Sequence, residues 1–221
     1  MSANNVDAVG ARPRVGARSV VIADLGLGNL RSVARAVERA GGEATITADP
    51  DALRKAAKVI VPGQGAFRDC GIALERGFGA ALREVIAQGT PYLGLCLGMQ
   101  LLFEGSAEAP DQRGLGLFAG TVERFSPHLS DAHGERLKVP HMGWNQVAGS
   151  HPALPSSGWF YFTHSYMCVP TDPSLVVGRV VYGTEFCAAV ARDNVFACQF
   201  HPEKSQEEGH LLLQRFVEGR F

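Results

Sequence analysis

The chain has 221 residues, enough for one domain with a single substantial core. Hydrophobic residues make up 46% and charged residues 19%, an ordinary balance for a soluble globular domain. With 21 basic and 22 acidic side chains the net charge is −1, so neither nucleic acid nor an anionic membrane is an expected partner. No apolar run is long enough to span a bilayer as a helix.

Met1 to Arg18 is polar and rich in alanine and glycine, without the apolar segment of a secretory signal. It reads as a flexible extension, which leaves 19–221 as the one domain. Ser19 to Ala23 reads as a buried strand with a glycine-rich turn after it. Asn29 to Ala40 follows as an amphipathic helix, with Leu30, Val33, Ala34 and Val37 at helical spacing. Gly26 and Gly28 form a G-x-G pair, but the third glycine of a dinucleotide loop is missing. No cofactor is expected. A strand (Glu43 to Thr47), a helix (Asp51 to Ala57) and a strand (Lys58 to Val61) continue the alternation, followed by a helix (Ala80 to Gln88) and the apolar strand Pro91 to Leu95. This rhythm implies an α/β fold, a parallel sheet with helices on both faces.

After about Gly116 the texture changes to strands joined by loops: Thr121 to Phe125, Val139 to Val147, Trp159 to Tyr166, Leu175 to Tyr182 and Phe186 to Ala191. They suggest an antiparallel extension of the sheet. Val195 to Gln199 then returns to the core beside Pro91 to Leu95. Gln206 to Phe216 closes as a helix with Leu212, Leu213, Phe216 and Val217 on its apolar side.

Chemistry enters at Gly94-Leu95-Cys96-Leu97-Gly98, a G-x-C-x-G between a strand and a helical stretch. In a nucleophile elbow small flanking residues let the backbone turn tightly, so the attacking side chain projects above the sheet. The N–H of Leu97 would then face the sulfur and serve as an oxyanion donor. The same pentapeptide also fits a buried structural cysteine. A nucleophilic cysteine needs a base, and Gln199-Phe200-His201-Pro202-Glu203 offers one. In an extended segment His201 and Glu203 share a face, so the carboxylate can orient the imidazole, with Pro202 stiffening the link. A surface histidine before a helix is the alternative reading. The remaining cysteines, Cys70, Cys168, Cys187 and Cys198, lie in or beside apolar stretches and read as reduced core residues, which points to a cytoplasmic protein. No spacing suggests a metal site.

The elbow and the His-Pro-Glu segment together resemble the class I, triad-type glutamine amidotransferases. Further segments resemble the glutaminase subunits of imidazole glycerol phosphate synthases: Gly26-Leu27-Gly28-Asn29-Leu30, Pro62-Gly63-Gln64-Gly65-Ala66-Phe67, Val139-Pro140-His141-Met142-Gly143-Trp144-Asn145 and Tyr161-Phe162-Thr163-His164-Ser165-Tyr166. The resemblance implies a flavodoxin-like sheet with a parallel centre and antiparallel extension, and L-glutamine as substrate. It implies a Cys96–His201–Glu203 triad, and an oxyanion hole from Leu97 and the backbone near Gly65. It implies substrate contacts from Gln100 and Glu104, which share a face if the elbow helix continues, and from the His164, Ser165 and Tyr166 segment. A separate (β/α)₈-barrel cyclase subunit would dock over the site, at a face including Asn29, Trp144 and Lys204, and receive the ammonia through a channel.

Two positions depart from the pattern: Gln64 stands where many relatives carry an aliphatic residue, and Leu25 where tyrosine is common. A polar Gln64 can bond to its own loop and change how readily the oxyanion donor is presented. Other class I amidotransferases, a free-standing hydrolase of γ-glutamyl compounds and a catalytically dead binding module are the competing readings. The intact Cys96, His201 and Glu203 argue against the last.

Overall fold

The computed structural model describes Gly16 and residues 18–220, so the reading of an N-terminal extension lies almost wholly outside the described residues. In chain order the first half contains β1 (Ser19–Ala23), α1 (Leu30–Arg39), β2 (Glu43–Thr47), α2 (Pro50–Arg54), β3 (Val59–Val61), α3 (Phe67–Ala73), a π-helical turn (Leu74–Phe78), α4 (Gly79–Ala87), β4 (Tyr92–Leu95) and α5 (Leu97–Gln100). Then come β5 (Gly105–Ser106), β6 (Ala109–Arg113), β7 (Gly120–Arg124), β8 (His141–Gly149), β9 (Ser157–His164), β10 (Tyr166–Pro170), β11 (Val176–Tyr182), β12 (Thr184–Arg192), β13 (Val195–Cys198) and α6 (Gln206–Glu218).

Most of these follow from local chemistry. Asn29 caps α1, its side chain accepting from Ser32 N at 3.2 Å. Asp49 caps α2 in the same way ahead of Pro50, which suits a first helical position. Helix α2 is shorter than its pattern suggests. Lys58 O already accepts from Val21 N at 2.9 Å, and the chain needs the preceding residues to turn into that register. The segment from Phe67 to Phe78 carries two glycines that depress helix propensity and hide α3 from a sequence reading. Gly77, at φ 110°, breaks the helical path between α3 and α4. The predicted strand Trp159 to Tyr166 is two strands. It changes neighbours at Ser165, with β9 pairing β8 while β10 pairs β7 and β12.

The strands run β2-β1-β3-β4-β13-β12-β10-β7-β5-β6, with β11, β8 and β9 branching from β12. Pairing is parallel from β2 to β13 and antiparallel where β12 joins β13. All of β4 is buried because both faces of the central sheet are covered, hence its unbroken apolar run. Leu93 and Leu95 point to one layer with Val33, Val37, Leu212 and Phe216 of α1 and α6. Tyr92 points to the other, with Phe67, Leu82 and Val85 of α3 and α4. Leu25 is buried in this second layer. The chain leaves β3, β4 and β13 at the same edge, where open α/β sheets carry their sites.

Candidate active site

Two glycines shape the turn after β4. A Cβ at Gly94 would stand 2.6 Å from the Gly98 carbonyl oxygen and 3.0 Å from Ala197 Cβ. A Cβ at Gly98 would run into the Val61 carbonyl. Only glycine therefore lets the turn lie flat on β3 and β4. Cys96 sits at its apex with φ 51° and ψ −102°, a region that non-glycine residues rarely adopt and that clusters at functional sites. Its N–H donates to Cys198 O at 2.7 Å, pinning the strained residue to β13, and Tyr92 Oη donates to Gly98 O at 2.8 Å. Leu97 opens α5.

His201 follows β13. Its backbone N–H donates to Tyr161 O at 2.9 Å, and its carbonyl accepts from the buried Ser205 hydroxyl at 2.6 Å. His201 and Glu203 meet through a 3₁₀ turn (Pro202–Lys204) rather than an extended segment. His201 Nδ1 lies 2.9 Å from Glu203 Oε1, with both side chains almost wholly buried. Nδ1 is thus engaged, and Nε2, buried without a hydrogen-bond partner among the described residues, remains for the sulfur. Burial opposes charge on the ring, but the Cys96 sulfur and the Glu203 carboxylate outweigh it and push His201 up to about 10. That favours an imidazolium facing the sulfur. The other four cysteines are buried, and burial pushes Cys70 and Cys187 up to about 12 and Cys168 and Cys198 well above the ordinary range. These four are inert thiols.

A cavity of about 360 Å³ opens on Cys96, lined also by Gln64, Gly65, Leu97, Gln100, Glu108, Pro140, Thr163, His164, Ser165, Tyr166 and Lys204. Most of the expected site residues therefore converge here. His164 shows the cavity little of its polarity: Nδ1 is 2.8 Å from Tyr166 O and Nε2 is 3.1 Å from His141 Nδ1. Burial pushes His164 down to about 3 and His141 down to about 4, so both rings are neutral.

Glu104 is not there. Helix α5 ends at Gln100, so the expected shared face is lost, and the Glu104 carboxylate accepts from Gly120 N at 3.0 Å, outside the cavity. The next turns cannot continue the helix because the carbonyls of Leu101, Leu102 and Phe103 accept from Leu115, Leu117, Phe118 and Gly116. The carboxylate that lines the cavity is Glu108, whose Oε2 accepts from Phe67 N at 2.8 Å. Gly105 directly after Glu104 was the available signal, since glycine commonly ends a helical run.

Among the described residues the Gln64 side chain bonds to no member of its own loop. Its Nε2 reaches His201 Nδ1 at 3.5 Å, a long packing contact, since Nδ1 gives its proton to Glu203, that lays the loop over the His201–Glu203 pair. A Cβ at Gly28 would stand 3.2 Å from Gln64 N, so the turn before Asn29 abuts the same loop. Lys204 Nζ lies 5.7 Å from the Tyr161 ring centre, and Trp144 packs edge-on to that ring. The Asn29 side chain is occupied as the α1 cap. Among the described residues no group of three or more His, Cys, Asp or Glu is placed to hold a metal ion.

A nucleophile elbow facing a carboxylate-oriented histidine, on a mixed sheet of this order, is the arrangement of a cysteine amidohydrolase. The family model of class-I glutamine amidotransferases matches residues 21–219, and the chain belongs to that family. Among solved structures a glutamine amidotransferase superposes with TM-score 0.70 at 21% identity, over 90% of this chain and 98% of that one. PurLQS from Thermotoga maritima superposes with TM-score 0.67 at 19% identity, over 91% and 98%. At such identities these show the fold alone. More particular are the relatives called imidazole glycerol phosphate synthase subunit HisH. The protein of Methylococcus capsulatus is 48% identical over 208 residues, 90% of this chain and 95% of its own. That of Syntrophotalea carbinolica is 48% identical over 203 residues, 89% and 98%.

Proposed function

We propose that this chain is the glutaminase subunit of an imidazole glycerol phosphate synthase in histidine biosynthesis. It hydrolyses L-glutamine to glutamate and ammonia and passes the ammonia to a separate (β/α)₈-barrel cyclase subunit. The observation that carries the reading is the buried His201–Glu203 pair beside Cys96 on a strained elbow, opening into a cavity sized for one amino acid. The likeness to the HisH relatives over nearly the whole chain supplies the pathway.

The Cys96 thiolate attacks the side-chain carboxamide carbon and forms the C–S bond. Leu97 N–H and the backbone at Gly65 stabilise the oxyanion; losing one such donor costs roughly 2.7–4 kcal/mol of barrier. Imidazolium His201 gives the Nε2 proton to the departing nitrogen, the C–N bond breaks, and ammonia leaves a thioester. Neutral His201 then takes a proton from water, which attacks the thioester and releases glutamate as the sulfur departs. Glu203 fixes the tautomer and supports the charged ring throughout. Glu108 replaces Glu104 as acceptor for the substrate α-ammonium, with the Ser165–Tyr166 backbone for its carboxylate. Gln100 closes the cavity floor.

The exposed Met142 and Trp144 on β8, beside Lys204 at the cavity rim, supply apolar surface for the cyclase, with Asn29 at its margin. We take residues 19–221 as the amidotransferase domain and the cytoplasm as its compartment; no described helix is long and apolar enough to cross a membrane.

Glutamate release is to be measured with the chain alone and with the cyclase subunit and its nucleotide. Strong stimulation is expected, with Cys96→Ala and His201→Ala abolishing glutamine-dependent synthesis while ammonia-dependent synthesis survives. Equal loss of both activities, or rapid turnover without the partner, would overturn the reading.

A further inference from the structure

We propose that Gln199 is a positioning residue for the attacking sulfur, its amide N–H holding the Cys96 thiolate in line with the cavity; this rests on the reading of Cys96 as nucleophile. Gln199 follows β13 directly, and its side chain is fully buried. An amide in such a place persists only with partners. Nε2 lies 3.3 Å from Cys96 Sγ, and Oε1 accepts from Gln100 Nε2 at 3.2 Å.

The direction of this chain follows from its far end. Gln100 Nε2 also faces Tyr166 O at 3.4 Å, and a backbone carbonyl only accepts. Gln100 must therefore present its NH₂ group there, which turns Gln199 Oε1 toward Gln100 and the Gln199 NH₂ toward the sulfur. Tyr166 O is itself held by His164 Nδ1–H at 2.8 Å. His164 Nε2 accepts from His141 Nδ1–H at 3.1 Å, and His141 Nε2 accepts from Asn145 Nδ2 at 3.3 Å. Every member from Asn145 to Gln199 is neutral with its polarity assigned, so the network ends in a fixed donor aimed at one atom.

A thiolate accepts far better than a thiol, so such a donor favours the reactive form over the resting acid. It acts again when the thioester is hydrolysed, because sulfur then leaves as thiolate. Several charged or titratable groups surround the sulfur. His201, backed by Glu203, faces it from the segment after β13, Glu108 and Lys204 line the same cavity, and the buried thiols Cys168 and Cys198 interact with it. Gln199 differs from His201, Glu203, Glu108 and Lys204 in carrying no charge, and it is fully buried, so its effect is insensitive to salt.

The test is the pH profile of Cys96 alkylation by iodoacetamide, mapped by peptide mass, on the full chain and its Gln199→Met variant. The midpoint is expected to rise by about one pH unit, with about tenfold less reaction at pH values well below both midpoints. In the cyclase complex kcat for glutamine should fall about tenfold with KM held. An unmoved profile in a folded variant would overturn the proposal. If Gln199→Met does not fold, the side-chain amide resonance of Gln199 in the unmodified chain must shift through the same midpoint as Cys96 alkylation. An amide resonance indifferent to that titration overturns it equally. Absence of glutamine turnover in the unmodified chain, with the alkylation difference intact, would fault the glutaminase reading alone.

Discussion

Gly94→Ala tests whether the elbow depends on close packing of backbone on backbone. The new Cβ would stand 2.6 Å from the Gly98 carbonyl oxygen, against an ordinary carbon–oxygen contact of about 3.3 Å. A displacement of about 0.7 Å must therefore be found. Both flanking groups resist, because Gly98 lies on β3 and the opposite contact is Ala197 on the adjacent strand at 3.0 Å. Overpacking of this kind costs about 1–3 kcal/mol, or roughly 2–4 °C of Tm per kcal/mol for a domain of this size. The elbow is the softer side, since α5 is a single turn, and moving Cys96 toward 1 Å off line would lower kcat by up to about 10²-fold. Urea unfolding and steady-state glutaminase assays on the complex measure the two effects. Gly105→Ala is the control, with its nearest contact at an ordinary 3.5 Å and a cost of less than about 0.5 kcal/mol. A Gly94→Ala protein as stable and as active as the unmodified one would refute the packing argument.

Glu108→Gln should raise KM for glutamine about 10- to 100-fold, the value of a charge-assisted hydrogen bond, while Glu104→Gln leaves KM unchanged; steady-state kinetics showing the reverse would restore the Glu104 assignment. Gln64→Val removes the contact between loop and triad and should change stimulation by the cyclase more than glutamine affinity; a pure affinity change would show that Gln64 is not part of the coupling. Acid stability carries a third signature. Burial lowers His141 to about 4 and His164 to about 3, so the unfolded chain takes up protons first as pH falls below about 6.5. Urea unfolding should lose about 1.4 kcal/mol per pH unit for each histidine between about 6.5 and those values, and none on this account above 6.5. A stability curve flat from pH 6.5 to 4.5 would exclude neutral buried rings.

Much of the molecule was readable along the chain because its signals are local. β1, β2, α1 and the elbow strand declare themselves by periodicity, capping residues and an apolar run. G-x-C-x-G and His-x-Glu are spacings whose geometry a turn or a strand sets within five residues. The parallel centre and its antiparallel extension followed from the change in rhythm near Gly116. The glycine-poor helix propensity rules did not find α3, whose own glycines obscure it, nor the exchange of strand neighbours at Ser165, which pairing alone decides.

The sequence by itself pointed to the type of chemistry, since the G-x-C-x-G elbow and the His-x-Glu pair are each written within a few residues. Tertiary structure decided which side chains share the cavity with them. Glu104 is lost and Glu108 gained because the carbonyls after α5 are claimed by the segment from Leu115 to Phe118. Gln64 meets His201 and Gln199 meets Cys96 only because loop and strand ends converge at one edge of the sheet. Contacts of that kind depend on how distant segments divide a fixed number of donors and acceptors, and no local spacing carries that division.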